Sequence, residues 1–149
     1  MKIRPYADSD WEDVRGIYDL SKPDELRGAV DVSMILPLDQ DPSMLALFRD
    51  STIAVAEEGG HVIGFAGNKG NYISWLFVHP VHRRRGVARE LLGEVMGQLR
   101  GPITLNVAAE NQPARQLYAS LGFEVAKDFT GTFNGHDIRV LTLSYEQAG

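Results

Sequence analysis

Residues 51–80, STIAVAEEGGHVIGFAGNKGNYISWLFVHP, carry three β-rich runs back to back, and this stretch limits the fold more than any other. Gly59-Gly60 separates the first two runs and supplies the positive φ that a tight hairpin turn needs. Pro80 stops the third. Strands so close in sequence predict an antiparallel meander. A helical pattern follows at once, over about residues 85–100, with Val87, Ala88, Leu91, Leu92, Val95, Met96 and Leu99 at three- and four-residue steps. PITLNVAA (102–109) then reads as a strand again. A strand–helix–strand passage is a crossover, so residues 72–78 and 102–108 should lie side by side and parallel. A meander joined to a crossover means a sheet of mixed direction.

The remaining segments fit around that sheet. KIRPY (2–6) reads as a short strand and DSDWEDVRGIYDL (8–20) as a helix, with Ser9 and Glu12 at the spacing of a capping box. Trp11, Val14, Ile17 and Tyr18 fall on one face and read as core. Residues 21–42 are less regular. A short helix around 41–49 follows, capped by Asp41 with Pro42 at its first position. QPARQLYASL (112–121) is helical and ends at Gly122; FEVAKDF and DIRVLTLSY are strands joined through Asn134-Gly135. The order β-α-α-β-β-β-α-β-α-β-β gives an α/β fold, about seven strands flanked by about four helices, in one domain over 1–149.

Composition excludes several classes. At 44% hydrophobic and 23% charged, the chain is globular. It has no cysteine, so disulfides, thiolate metal sites and a cysteine nucleophile are out. No apolar run approaches the ~18 residues of a membrane span, and the start, MKIRPYADSDWED, is too polar for a signal peptide. These features point to a cytoplasmic protein with no membrane partner. A net charge of −5 argues against a general nucleic-acid binder, yet leaves room for one polyanion on a local basic patch.

Such a patch exists. HPVHRRRGVARELL (79–92) runs arginines and a glycine into the start of a helix. Unpaired N–H groups and the positive end of the dipole converge there, which suits an anion. Gly86 lets a ligand approach the backbone, Ala88 is also small, and Arg83, Arg84, Arg85 and Arg89 supply cations suited to phosphate. Neither the P-loop nor the dinucleotide glycine pattern occurs. A solvated arginine face is the plain alternative.

The arrangement Arg83-x-x-Gly86-x-Ala88, five residues after the strand WLFV, resembles the R/Q-x-x-G-x-G/A motif of the GNAT superfamily of acyl-CoA-dependent N-acetyltransferases. Downstream, VAAENQPARQLYASLGFE (107–124) resembles the family's V-x-x-x-N-x-x-A-x-x-x-Y-x-x-x-G-F segment at Val107, Asn111, Ala114, Tyr118, Gly122 and Phe123. The element order matches the family fold across nearly the whole chain. The resemblance implies a GNAT-type fold and acetyl transfer from acetyl-CoA to a primary amine, without a metal. It places the pyrophosphate on the backbone of Arg83, Arg84, Arg85, Gly86, Val87, Ala88 and Arg89. It also implies that the strand SWLFV splays from TLNVA near Val78, freeing backbone at Leu76, Phe77 and Val78 to bind the pantetheine arm and polarise the thioester.

By the same resemblance, Tyr118 is the general acid, Asn111 bonds to the cofactor, and Ala114, one turn from Tyr118, leaves room for its arm. An ordinary phenol, with a pKa of about 10, is close to a thiol in acidity. The plain alternatives are a helix cap for Asn111 and a half-buried core tyrosine for Tyr118. No general base is assigned. Some relatives carry a strand glutamate where this chain has Ser74, and Glu57, Glu58, His79, Asp31, Asp39 and Asp137 have no spacing to recommend them. The acceptor pocket is expected from residues 21–42 and about 129–137, where Asp24, Glu25, Asp31, Asp39 and Asp41 outnumber Lys22 and Arg27. The acceptor, a small molecule or a peptide amine, is left open. Members of the family are often dimers, but no feature here selects monomer or homodimer. Two other readings stay open: an acyl-CoA-binding sensor without turnover, and a nucleic-acid module using the arginines, which the net charge opposes.

Overall fold

The computed structural model describes residues 1–146. Its strands are β1 (Lys2–Pro5), β2 (Thr52–Glu58), β3 (His61–Lys69), β4 (Tyr72–Val78), β5 (Ile103–Ala108), β6 (Glu124–Phe133) and β7 (His136–Tyr145). Its α-helices are α1 (Trp11–Leu26), α2 (Pro42–Asp50), α3 (Val87–Gly97) and α4 (Gln112–Ser120). The seven strands form one mixed sheet in the order β1-β2-β3-β4-β5-β7-β6, antiparallel throughout except for the parallel pair β4–β5. Element order and sheet type agree with the sequence reading.

Helices cover both faces, and each face has its own core. Against α1 and α2 lies an aromatic cluster of Tyr18, Phe48, Phe65, Trp75 and Phe77 with Val14, Ile17 and Val55. Edge-on and tilted ring pairs, such as Phe48–Trp75 at 5.5 Å and Tyr18–Phe77 at 5.3 Å, fill it. On the other face, Leu91, Leu92 and Val95 of α3 and Tyr118 of α4 pack on Leu105, Leu141 and Leu143. Most of β6 projects beyond both cores and is exposed.

Several local expectations hold. Asp41 accepts from Met44 N at 3.2 Å with Pro42 opening α2. Gly59 and Gly60, and Asn134 and Gly135, turn their hairpins with positive φ. Others need correction. Ser9 and Glu12 form no capping box. Asp10 takes that place, accepting from Ala7 N at 2.8 Å while Arg4 grips both its oxygens at 2.8 Å. The first helix runs to Leu26, through Pro23. Loss of one N–H donor there is offset by Ser21 bonding to β4 and by the ion pairs Lys22–Glu25 and Asp24–Arg27. Helix α3 starts at Val87, two residues later than the pattern suggested, and ends at Gly97.

The parallel pair is the feature that makes a site. Only Tyr72↔Thr104 and Ile73↔Leu105 are in register. The strands part immediately after Ile73, five residues before the expected point at Val78. A bulge opposite Gly67–Asn68 inserts Ser74 as an extra residue between Ile73 and Trp75. Ile73 therefore faces the α3/α4 core and Trp75 the α1/α2 core.

Candidate active site

The gap between β4 and β5 is lined by backbone polar groups, and ladder alternation identifies them. His79 N donates to Ile63 O at 2.8 Å, so Phe77 and Trp75 share that phase and bond to β3. Leu76 and Val78 then turn their N–H and C=O groups into the gap. On the other side, Ala109 N donates to Arg139 O at 2.9 Å, which turns Asn106 and Ala108 towards β4. Ser21 Oγ donates to Val78 O at 3.2 Å and Asn111 N to Ala108 O at 3.0 Å. Asn106 N belongs to the last rung of the parallel ladder, donating to Ile73 O, and beyond it the N–H groups of Leu76, Val78 and Ala108 face the gap. A gap with unpaired donors on both rims can take one extended amide chain. Phe77, expected among the freed backbone groups, faces its polar groups to β3 instead; only its side chain borders the cleft.

At the β4 end the chain passes through a 3-10 turn at Pro80–His82 into the arginine stretch. Arg84 and Gly86 both adopt left-handed φ, 64° and 82°. Two reversals in three residues aim the first turn of α3 back at the cleft. Its first intrahelical bond is Glu90 N to Gly86 O, so the N–H groups of Val87, Ala88 and Arg89 make no bond within the described residues. A Cβ at Gly86 would meet nothing within 4 Å. Backbone conformation and open space, not crowding, account for the glycine.

One cleft of about 950 Å³ joins the gap, this helix start and α4. It is lined by Leu76, Phe77, Val78, Arg83, Arg84, Gly86, Val87, Ala88, Arg89, Asn111, Ala114 and Tyr118. Of the expected site residues only Arg85 is missing. Its guanidinium turns away to Glu58 at 2.9 Å and to His82 Nδ1 at 2.6 Å. Arg83 is held by Asp24 at 2.6 Å, and Arg89 by Ser120 Oγ at 2.9 Å. Arg83 first and then Arg27 keep the Asp24 carboxyl below its ordinary pKa. Arg84 makes no ion pair with the described residues.

Asn111 caps α4, its Oδ1 accepting from Ala114 N at 3.3 Å, so the plain alternative holds for its oxygen. Its amide nitrogen is free of described partners and borders the cleft. Tyr118 is 7% exposed and its ring packs on Phe123. No hydrogen bond from the described residues reaches its hydroxyl. Burial, and after it the charge of Glu25, push the phenol well above its ordinary range.

Among the cleft residues that the sequence reading did not give to the cofactor site are three from the expected acceptor segment 21–42. Ser21, Lys22 and Glu25 belong to the last turns of α1, not to an irregular loop, and all three line the cleft. A signal was present: Val14, Ile17, Tyr18, Ser21, Lys22 and Leu26 continue one buried helical face. Its polar members and Pro23 obscured it. Ser74 shares a 2.8 Å hydrogen bond with Ser51 at the end of α2.

A family model described as the acetyltransferase (GNAT) family matches residues 11–123. The chain belongs to the GNAT family. A peptidyl-lysine N-acetyltransferase, YiaC of Escherichia coli, is 35% identical to this GNAT chain over 88 residues, which is 54% of the chain and 59% of that relative. The match therefore spans less than two thirds of the relative's length. A GCN5-related N-acetyltransferase from Rhodopseudomonas palustris superposes with a TM-score of 0.83 at 20% identity, over 98% of this chain and 95% of that one. The yncA protein of Salmonella typhimurium, solved with its cofactor acetyl-CoA, superposes with a TM-score of 0.71 at 20% identity, over 98% and 93%. These structures share the GNAT fold with it. No helix among the described residues is long and apolar enough to cross a membrane. No group of three or more His, Asp or Glu among them could hold a metal ion.

Proposed function

We propose that the chain is an acetyl-CoA-dependent N-acetyltransferase acting on a primary amine. The observation that carries this is one cleft with two sets of unpartnered backbone N–H groups, at the strand gap and at the start of α3, with a buried tyrosine hydroxyl facing it. Acetyl-CoA supplies the activated acetyl group. The N–H groups of Val87, Ala88 and Arg89 and the side chain of Arg84 bind its pyrophosphate, with Arg83 shared between phosphate and Asp24. The N–H groups of Leu76 and Val78 hold the extended arm and polarise the thioester carbonyl; fixed donors there need no reorganisation as negative charge develops. Tyr118 supplies the proton that the departing sulfur needs. The name of the YiaC relative supports a peptide amine as acceptor, taken between residues 27–41 and the β6–β7 hairpin. Asn134 Nδ2 donates to Met34 O at 3.1 Å, tying those two segments together.

Ser74 keeps a second reading in view, an acyl-CoA-binding sensor without turnover, because the strand offers no carboxylate where some relatives have one. Calorimetric titration with acetyl-CoA, beside a Gly86→Asp variant, tests the first step. Wild type should bind in the micromolar range. The variant, folded by circular dichroism, should not bind, since a carboxylate at that φ stands against the phosphate. Absence of binding by folded wild type overturns both readings. Binding with no CoA release over a panel of lysine peptides and small amines leaves the sensor.

A further inference from the structure

We propose that Lys22 is itself an acetyl acceptor, modified in cis from the donor held in the cleft. The proposal rests on the acetyltransferase reading and adds a modification site to it.

The chain has four lysines. Lys2, Lys69 and Lys127 are exposed and outside the cleft. Lys22 is only 8% exposed, and the open space it borders is the cleft itself. Its place in α1 explains this. Lys22 follows Tyr18 by one turn and Val14 by two, so its stem lies on the buried face of the helix. The ammonium ends among three rings, 5.3 Å from Phe133 and 5.8 Å from both Tyr18 and Phe77. Its one hydrogen bond among the described residues goes to Glu25 Oε1 at 3.1 Å. A surface lysine would show a solvated head and a mobile stem. This one is a confined amine beside a carboxylate.

The confinement is at the reacting end of the cleft. Ser21, the preceding residue, anchors this turn of α1 to Val78 O at 3.2 Å. Phe77, under the ammonium, lies between Leu76 and Val78, whose N–H groups face the gap where the thioester carbonyl is proposed to sit. Glu25 is near enough to Tyr118 for its charge to act on the phenol. Lys22, Glu25, Leu76, Val78 and Tyr118 thus line one cleft, with Glu25 bonded to the amine and acting by charge on the phenol, an arrangement that suits a transfer step.

The step balances. Glu25 takes one proton from the Lys22 ammonium, and the freed pair on Nζ attacks the thioester carbonyl carbon. The Nζ–C bond forms and the C–S bond breaks. The thiolate leaves with the Tyr118 proton, and the second amine proton restores the phenol. Glu25 then returns its proton to solvent. The products are Nζ-acetyl-Lys22, CoA thiol and one released proton. The acetylated side chain carries no charge, so Glu25 loses its ion-pair partner inside the cleft.

The full chain is incubated with acetyl-CoA, and intact mass and peptide mapping are followed in time, with calorimetry and an amine panel alongside. One acetyl group should appear on Lys22, at a first-order rate unchanged over a tenfold range of protein concentration. Tyr118→Phe should slow it at least tenfold, and Lys22→Arg should abolish it while still binding acetyl-CoA. The concentration test uses wild type alone, so it stands even where a variant folds poorly. Acetyl-CoA binding with turnover of external amines but an unmodified Lys22 overturns the proposal and leaves the enzyme reading intact. Acetylation spread over Lys2, Lys69 and Lys127, at a rate Tyr118→Phe does not change, overturns it as surface chemistry. No acetyl-CoA binding overturns both.

Discussion

Tyr118 shows how far a single residue can be read from sequence. Its place in the N-x-x-A-x-x-x-Y segment brings it to the cleft beside Ala114, as expected. Its acidity does not follow from its identity. A free phenol is close to a thiol, whereas the buried Tyr118 holds its proton more firmly. The match returns only if the departing thiolate is desolvated in the same cleft. The sign of the shift has a consequence. A raised pKa keeps the phenol protonated through neutral and mildly alkaline solution, so loss of this acid should not depress turnover below about pH 10. Replacing Tyr118 by Phe should cut kcat by about 100-fold or more, in the range of a lost general acid. Acetyl-CoA affinity should stay within about twofold, as calorimetry would read. Equal loss of both would mark a packing residue. Lys22 and Glu25 were legible as charges of an expected acceptor segment but not as part of α1 beside the cofactor cleft, because their burial depends on which way the end of α1 faces.

At the level of elements, the hairpins were legible because their turn residues act locally; Asn134 and Gly135 have the positive φ the turn requires. The extension of α1 past Pro23 and the early splay of β4 from β5 were not. Both depend on partners distant in sequence: Ser21 with Val78, and the bulge on β4 with Gly67. Gly67, opposite that bulge, is itself a steric requirement of the packing against β2. A Cβ there would lie 2.5 Å from Ile53 Cδ1 and 2.9 Å from Thr52 O. The side chain can move but the backbone oxygen cannot without disturbing the β2–β3 ladder. Gly67→Ala should therefore destabilise the protein by about 1–3 kcal/mol, measured by urea unfolding. An unchanged midpoint would show that β2 and β3 separate easily at that point.

For the whole molecule, β1 and the start of α1 are tied together by charge. Arg4 grips Asp10 through two 2.8 Å bonds and reaches Glu57 at 3.3 Å. The bond to Arg4 is the main cause of an Asp10 carboxyl held below its ordinary pKa. A lowered folded pKa stabilises above the unfolded value, near 4, and the contribution disappears as pH falls through the folded value. Asp10→Asn should lower the urea midpoint at pH 7 and flatten its dependence on pH below about 4. A wild-type slope retained in the variant would assign acid sensitivity to other carboxylates, Asp24 first. The sequence by itself determined the order of elements, the mixed sheet, the glycine-opened start of α3 and the family motifs, since periodicity, turn chemistry and spacing are local properties of the chain. Tertiary structure alone decided where β4 leaves β5, that Arg85 faces Glu58 and not the cleft, and that Lys22 and Glu25 line the same cleft as Tyr118. Those outcomes depend on packing between segments tens of residues apart, and side-chain direction at such contacts is set by the neighbours that happen to arrive there.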